Sequence, residues 1–595
     1  MRGNYAMITR SLKDLHGQRH APYERKDEMN RTIKFAFAAL AVAAATPVTT
    51  SAGEAPRRPK ALVLMWDGMR ADAVINAGCT NLLKLVGGTW QPGYNGAWSF
   101  CGKPIPDARG YSFANHASIL NGVFSAKHGV RFNHEARRCK VKEWPSWLSR
   151  LIDAKPSFRA AYIFDGGGND QCLCADDRVM MKNFGLDGIG EGNYAAELCA
   201  AADGPDAIVV YFENPDAFGH RNGYYPTSPE YINAVRENDL LLGKMMDAIA
   251  ARPTFKDEDW LIGLTADHGG YGKMHGWRDT HTATIPVIVA SRHVVNGQMA
   301  GFPGNYDLPV TALAHFGVDT SKMNLDGKVV GGQAASWKAA ARLDEALTWH
   351  YPVNVYSKYL DNAVRGGPGS VNIGDETYFN PNAQDGPFKN RFCLWIGGDE
   401  DVQTAAWLKD STDMFLCPHP SFTISFWAKM PQNPAGDPVI LGNKDYARAG
   451  SPGFVVTTGR HTERARKGAC IVYGTPQGVD EIVGTFDVEG KDKWTFYAVV
   501  FTAEGHAWFF QGRTNGMFNW ICAKAGNALL GSGLPLHIGQ DGTGTFKWNF
   551  SGRLDDIAIW KRSLTVDEVR SIYTAGREGR DIKDMLSGSG PKAKQ

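Results

Sequence analysis

The sequence predicts an α/β domain with a mostly parallel sheet flanked by helices, followed by an all-β sandwich. Three observations predict this. Over about 58–335, short apolar runs ending at acidic residues alternate with stretches of helical spacing, the pattern of a parallel sheet covered on both faces. From Phe392 onward the chain changes to short alternating strands with glycine-rich turns, as in sandwiches. Finally, 17 Trp, 67 Gly and 30 Pro suit a chain with many turns and many aromatic side chains.

Taken in order, residues 61–66 (ALVLMW) form a first strand closed by Asp67-Gly68. The stretch Tyr111-Ser112-Phe113-Ala114-Asn115-His116 opens a helix carrying Ile119, Leu120 and Val123. Residues 159–164 form a strand ending at Asp165-Gly166, and 207–212 (AIVVYF) another, ending at Glu213-Asn214-Pro215-Asp216. Ile232, Val235, Leu240, Leu241, Met245 and Ile249 mark a helix over 231–251. The run Leu261-Ile262-Gly263-Leu264-Thr265-Ala266 stops at Asp267-His268-Gly269-Gly270, and residues 286–290 (PVIVA) add one more strand. In the second region, strands are predicted over 422–428, 494–501, 506–510, 536–539 and 555–560, with a closing helix at 565–573. The regions divide as 58–335 and 375–578, with 336–374 as linker and 584–595 as a disordered tail.

Residues 1–52 stand outside this scheme. Arg31 and Lys34 precede an apolar run at 35–45, and Thr50-Ser51-Ala52 follows as a cleavage site. This is the layout of a secretory signal peptide, and the run is short for a membrane span. Met29 is a natural start, which makes 1–28 an extension. A secreted, periplasmic or cell-surface protein is expected, not an integral membrane protein. All ten cysteines follow Ala52, so structural disulfides are expected, and Cys172-x-Cys174 is too tight for a zinc motif. A net charge of +2 gives no nucleic-acid-binding surface.

Four strand ends carry candidate metal ligands: Asp67; Asp216 with His220; Asp267 with His268; and His275, which precedes the strand at 286. Each alone reads as a turn acid or a structural histidine. Together they matter, because a sheet of this kind brings strand ends to one edge, where ligands sit. Three carboxylates facing one another there repel unless cations lie between them. Two Zn²⁺ would leave a net positive charge suited to an alkoxide and a phosphoryl group. Ser112, at a turn into a helix, is placed as the nucleophile, with the helix amino end favouring an anion; the competing reading is an ordinary helix cap.

These residues and their order resemble the alkaline phosphatase superfamily, and within it the nucleotide pyrophosphatase/phosphodiesterase-like branch. Ser112-Phe113-Ala114-Asn115-His116 is similar to the nucleophile motif Thr-Phe-Pro-Asn-His, and His128-Gly129-Val130-Arg131-Phe132-Asn133 to a stretch whose Asn contacts the phosphoryl oxygen. Glu213-Asn214-Pro215-Asp216-Ala217-Phe218-Gly219-His220 resembles Glu-Pro-Asp-x-x-Gly-His, Asp267-His268-Gly269 the Ser-Asp-His-Gly signature, and His275-Gly276 the last His-Gly. The helix start at Asp307-Leu308-Pro309 also fits. The resemblance implies an alkaline phosphatase-like fold. It implies one metal on Asp216, His220 and His275 and another on Asp67, Asp267 and His268, with Ser112 on the latter and Asn133 at the phosphoryl group. His281 competes with His275. Zn²⁺ is the expected ion, with Mn²⁺ as a substitute. The sequence departs from the branch in having Ser for Thr, and it lacks the Cys/Ser-x-Pro-x-Arg run of formylglycine sulfatases. The Lys-x-Arg pair of related monoesterases is missing after Phe164, which leans towards a diester; Lys127 and Arg131 are other sources of positive charge.

Residues 375–578 resemble the laminin-G-like/concanavalin A-like jelly roll, on 422–428, 494–498 and 551–560. That implies glycans or a surface protein as partners, with Ca²⁺ as an associated ion, although most of the aromatic residues alternate as core would. The function expected is an exported two-zinc hydrolase of phosphodiester or pyrophosphate bonds, working through a phospho-seryl intermediate on Ser112. The alternatives are a phosphomonoesterase, a sulfatase-like hydrolase, a phospho-group transferase, or a glycan-binding adhesion protein with an inactive α/β domain.

Overall fold

The computed structural model describes residues 56–586 apart from 109, 167–168, 186–187, 277–279, 338, 354–361, 365–370, 374–378, 385, 388–391, 398–405, 409–420, 431–435, 460–467, 488–492 and 549. The expected signal segment and residues 587–595 of the expected tail lie outside the described residues.

The amino-terminal sheet comprises β1 (Arg58–Trp66), β2 (Asn95–Gly102), β3 (Ala160–Phe164), β4 (Met180–Asn183), β5 (Ala207–Phe212), β6 (Glu258–Thr265), β7 (Ile285–Ser291) and β8 (Gly297–Gln298). Their spatial order is β4-β3-β5-β1-β6-β7-β2-β8. β1 is buried from Lys60 to its end, as a central strand covered on both faces must be. It runs parallel to β5 and β6, and β5 to β3. Trp66 lies opposite Phe212 and Met65 opposite Thr265. The chain therefore leaves all three strands at one edge, carrying Asp67, Asp216 and Asp267 with it.

Strand direction departs from expectation at β7, which is antiparallel to β6. No helix lies between them among the described residues, so no crossover carries the chain back to the far edge. The start of β7, and His275 before it, thus sits at the same edge as the ends of β1, β5 and β6. β2 and β4 went unread, because Asn95–Gly102 (NGAWSFCG) is interrupted by glycines and Met180–Asn183 is a short edge strand. The helices that matter for the site are α1 (Ser112–Asn121), α2 (Asn214–Asn222), α3 (Pro229–Ala250) and α4 (Asp307–His315).

The second region folds as two antiparallel sheets of seven and eight strands, the jelly-roll architecture. One sheet includes β9 (Leu347–Tyr351), β10 (Phe422–Lys429), β11 (Trp494–Phe501), β12 (His506–Arg513), β13 (Phe518–Lys524) and β14 (Gly552–Trp560). β9 pairs with β14, so part of the stretch expected as linker belongs to the sandwich. α5 (Val566–Arg577) follows, opened by a capping box between Thr565 and Glu568. α6 (Ile582–Leu586) then reaches into the region expected as disordered tail.

The two regions share a core. Leu62, Leu64 and Phe100 belong to one buried apolar cluster with Trp508 and Trp520. The Trp520 indole donates to Phe100 O at 3.3 Å, and Asn76 Nδ2 to Phe518 O at 2.7 Å. A Cys101–Cys522 disulfide joins β2 to β13. The broad expectation of structural bridges is met there, while Cys79, Cys139, Cys172, Cys174 and Cys199 remain thiols.

Candidate active site

Asp67 follows β1, and Gly68 behind it has a φ of +66°. A Cβ at Gly68 would stand 2.9 Å from the Asp216 Cα, so only glycine lets these two strand ends approach. Asp67, Asp267 and His268 each offer one ligand atom within 4.8 Å of one another, and Asp216, His220 and His275 do the same. The His268 and His275 rings stack at 3.8 Å between centroids, which sets the two groups side by side.

The protonation pattern shows what each group can hold. Nδ1 of His220 faces Lys273 O, Nδ1 of His268 faces Gly269 O, and Nδ1 of His275 faces Gly110 O, all at 2.8–2.9 Å. A carbonyl only accepts, so each Nδ1 carries the hydrogen and each Nε2 presents a lone pair. The Nε2 atoms of His220 and His275 are 3.0 Å apart. His268 Nε2 faces Asp267 Oδ2 at 3.1 Å and Asp67 Oδ1 at 3.4 Å. Asp67 Oδ1 and Asp267 Oδ2 are buried without hydrogen-bond donors. Acceptors set against acceptors are stable only around cations. The donor sets, two nitrogens with one carboxylate and one nitrogen with two, suit Zn²⁺. Burial, with His275 alongside, pushes His268 down to about 4, which keeps its lone pair available.

Ser112 is the first residue of α1 and Tyr111 its cap, with no capping side chain. The Ser112 hydroxyl is therefore not occupied as a helix cap; Oγ lies 3.2 Å from His268 Nε2. Asn133 Oδ1 accepts the Phe113 N–H at 3.2 Å, which places Asn133 beside the start of α1. His281 is in neither ligand group. It is buried, with its ring 4.8 Å from Tyr271 and 5.4 Å from Phe486 of the sandwich. Lys127 is bound to Asp326 at 2.6 Å and to Asn324 O, so it is committed elsewhere.

The sequence reading missed several participants. His116 Nε2 lies 3.3 Å from both Asp67 Oδ2 and Asp267 Oδ2, while Nδ1 is 2.9 Å from Asp170. Burial opposes a charged ring, but Asp170, Asp267 and Asp67 hold His116 protonated well above the usual histidine range. Its spacing of four from Ser112 puts both on one face of α1, a signal available in the sequence. Tyr211 donates to Asp67 Oδ2 at 2.8 Å and Tyr224 donates to Asp216 Oδ1. Nearby, Asp165, Glu213, Asn214, Phe218, Arg221 and Glu237 line a cavity of about 280 Å³. Burial and the surrounding Asp67 and Asp165 push Glu213 up to about 7.

Two stretches of the chain match known family models. Residues 175–274 match the type I phosphodiesterase / nucleotide pyrophosphatase family model, and residues 389–570 the concanavalin A-like lectin/glucanases superfamily model. The chain joins a phosphodiesterase-type segment to a concanavalin A-like one. The phosphodiesterase-type match includes Asp216, His220, Asp267 and His268 and stops just before His275. Among similar proteins is an uncharacterized pyrophosphatase/phosphodiesterase of Schizosaccharomyces pombe, 22% identical over 49% of this chain and 60% of that one. Venom phosphodiesterase 2 of Crotalus adamanteus is 24% identical over 27% of this chain and 21% of its own length. Human ectonucleotide pyrophosphatase/phosphodiesterase family member 7 is 27% identical over 26% and 35%. The chain thus spans less than two thirds of each of these relatives. Murine ectonucleotide pyrophosphatase / phosphodiesterase 5 aligns in structure at a TM-score of 0.31 and 14% identity, over 44% of this chain and 95% of that one. No described helix is long and apolar enough to cross a membrane.

Proposed function

We propose that the chain is an exported, metal-dependent hydrolase of phosphodiester or pyrophosphate bonds, with Ser112 as nucleophile. The observation that carries this is the meeting of two lone-pair-rich ligand groups with Ser112 Oγ, 3.2 Å from His268 Nε2. Asp216, His220 and His275 would hold one Zn²⁺ and Asp67, Asp267 and His268 a second, with Mn²⁺ as a substitute. A metal pair so held would supply Lewis acidity and lower the pKa of a bound hydroxyl. Ser112 Oγ attacks phosphorus from the amino end of α1 as its proton passes to water, forming a phospho-seryl ester while the bond to the leaving alkoxide or phosphate breaks and that group takes up a proton. Asn133, its amide oxygen spent on Phe113 N–H, has its NH₂ left to donate to a phosphoryl oxygen. Water then hydrolyses the ester and restores the Ser112 hydroxyl. His116, Tyr211 and Tyr224 orient the carboxylates.

A diester fits better than a monoester. The cavity beside Asp216 carries Asp165, Glu213 and Glu237 against one Arg221, and Lys127 is committed to Asp326. A second negative charge on the substrate would meet three carboxyl side chains with Arg221 alone to offset them. The test compares aryl phosphodiester, phosphomonoester and sulfate ester turnover on zinc-loaded protein. Diester hydrolysis should dominate, be lost to chelator, and fall at least about a thousandfold in Ser112→Ala with metal content unchanged. Faster monoester or sulfate turnover, or full activity in Ser112→Ala, overturns the reading. A protein without zinc or chelator-sensitive hydrolysis would instead be the adhesion protein. The sandwich would add recognition of a glycan or surface protein, with Ca²⁺ as an associated ion.

A further inference from the structure

At the opposite edge of the sheet, three other side chains converge. Asp259 is the second residue of β6, at the end remote from Asp267. Because β7 runs antiparallel to β6, its exit brings His293 back beside that start. α4 ends at His315. Asp259, His293 and His315 each place one ligand atom within 4.8 Å of the others. From Asp259 the strand runs six steps to Thr265, roughly 20 Å at the usual rise, with Asp267 two residues further on, so this cluster is separate from the candidate active site.

We propose that Asp259, His293 and His315 form a further divalent transition-metal site of the zinc class, with two nitrogens and one carboxylate oxygen from protein and water completing the shell. The donor chemistry is that of Zn²⁺. His293 Nε2 lies 2.6 Å from Asp259 Oδ2, while Asp259 Oδ1 is buried without a donor. The carboxylate is thus only half satisfied. His315 Nε2 faces the carbonyls of Asp259 at 2.9 Å and Lys60 at 3.1 Å. That fixes the hydrogen on Nε2 and leaves Nδ1 as the lone pair, the second-nitrogen arrangement common to metal-bound histidines. The carboxyl end of α4 adds partial negative charge. Arg292 is the opposing cation, and its guanidinium is drawn 4.4 Å over the Tyr94 ring. An ion here clasps the start of β6, the exit of β7 and the end of α4, giving a structural role far from Ser112.

The experiment loads chelator-treated full-length protein with ZnCl₂, desalts it, and measures zinc per chain and the melting temperature. Wild type should retain one zinc more than His293→Ala and more than Asp259→Asn, whatever the opposite edge holds. His293 is exposed, so His293→Ala folds, and its phosphodiester turnover should stay within twofold of wild type. The zinc-induced rise in melting temperature should shrink in both variants. Equal zinc content in wild type, His293→Ala and Asp259→Asn overturns the proposal and leaves a plain His–Asp ion pair. A companion variant, Asp216→Asn, reports on the other edge: it should lose zinc there while keeping the equivalent that His293→Ala loses. The two readings therefore fail independently.

Discussion

At the scale of single residues, the site is organised by which lone pairs have nowhere to go. Asp67 Oδ1 and Asp267 Oδ2 lack donors, and the Nε2 atoms of His220 and His275 point at each other. His116 is the counterweight on the far side, touching Asp67, Asp267 and Asp170. Removing it in His116→Ala takes the charged ring away from those carboxylates. Metal affinity should fall about 10- to 100-fold, measured by competition with a chromophoric chelator. Retention of wild-type affinity would reduce His116 to packing. Asp67 and Asp267 were legible in the sequence because each closes an apolar run. Asp170, Tyr211 and Tyr224 were not, since their partners come from other elements and only the folded register brings them together. Between His275 and His281, the distance to the strand at 286 favoured His275 in the sequence, and His275 is the one grouped with Asp216 and His220.

At the scale of elements, the sheet positions the site by holding β1, β5 and β6 in register, and the opposite ends of these strands show how. Asp206, just before β5, takes Arg58 Nε at 2.7 Å, Lys60 Nζ at 3.0 Å and the Arg159 N–H at 3.1 Å. Burial raises its carboxyl, but Arg58, the Arg159 amide and Lys60 outweigh this and hold it below the ordinary range. A depressed folded value means that Asp206 stabilises the protein above the unfolded value of about 4, and that this contribution is lost as pH falls through the folded value. Asp206→Asn leaves the buried Lys60 uncompensated and should cost about 3–5 kcal/mol. Denaturant melts at pH 7 and pH 3 check both claims: the gap between wild type and variant should narrow in acid. The strands at 58–66, 207–212 and 258–265 were readable as apolar runs. The direction of β7 was not, because an apolar run carries no arrow, and β2 was hidden by its glycines.

At the scale of the whole molecule, the boundary seen in composition is no boundary in packing. Most aromatic residues of the second region alternate, and the sequence reads them as sandwich interior, but Trp508 and Trp520 are placed otherwise. They face outward instead, into the cluster that contains Leu62 and Phe100. Alternation says that one face is buried and is silent about what covers it. The intact chain should therefore melt in one calorimetric transition under oxidising conditions. Cys522→Ser should lower its stability by about 2–5 kcal/mol without splitting the peak; two separated transitions in wild type would mean that the regions fold independently. The sandwich also reaches the turn between β6 and β7: Tyr271 donates to Asp487, and His281 packs on Phe486. That turn delivers His275. Any shift of the sandwich at Phe486 or Asp487 would thus be felt at His275, which gives the second region mechanical leverage over a candidate ligand in the first.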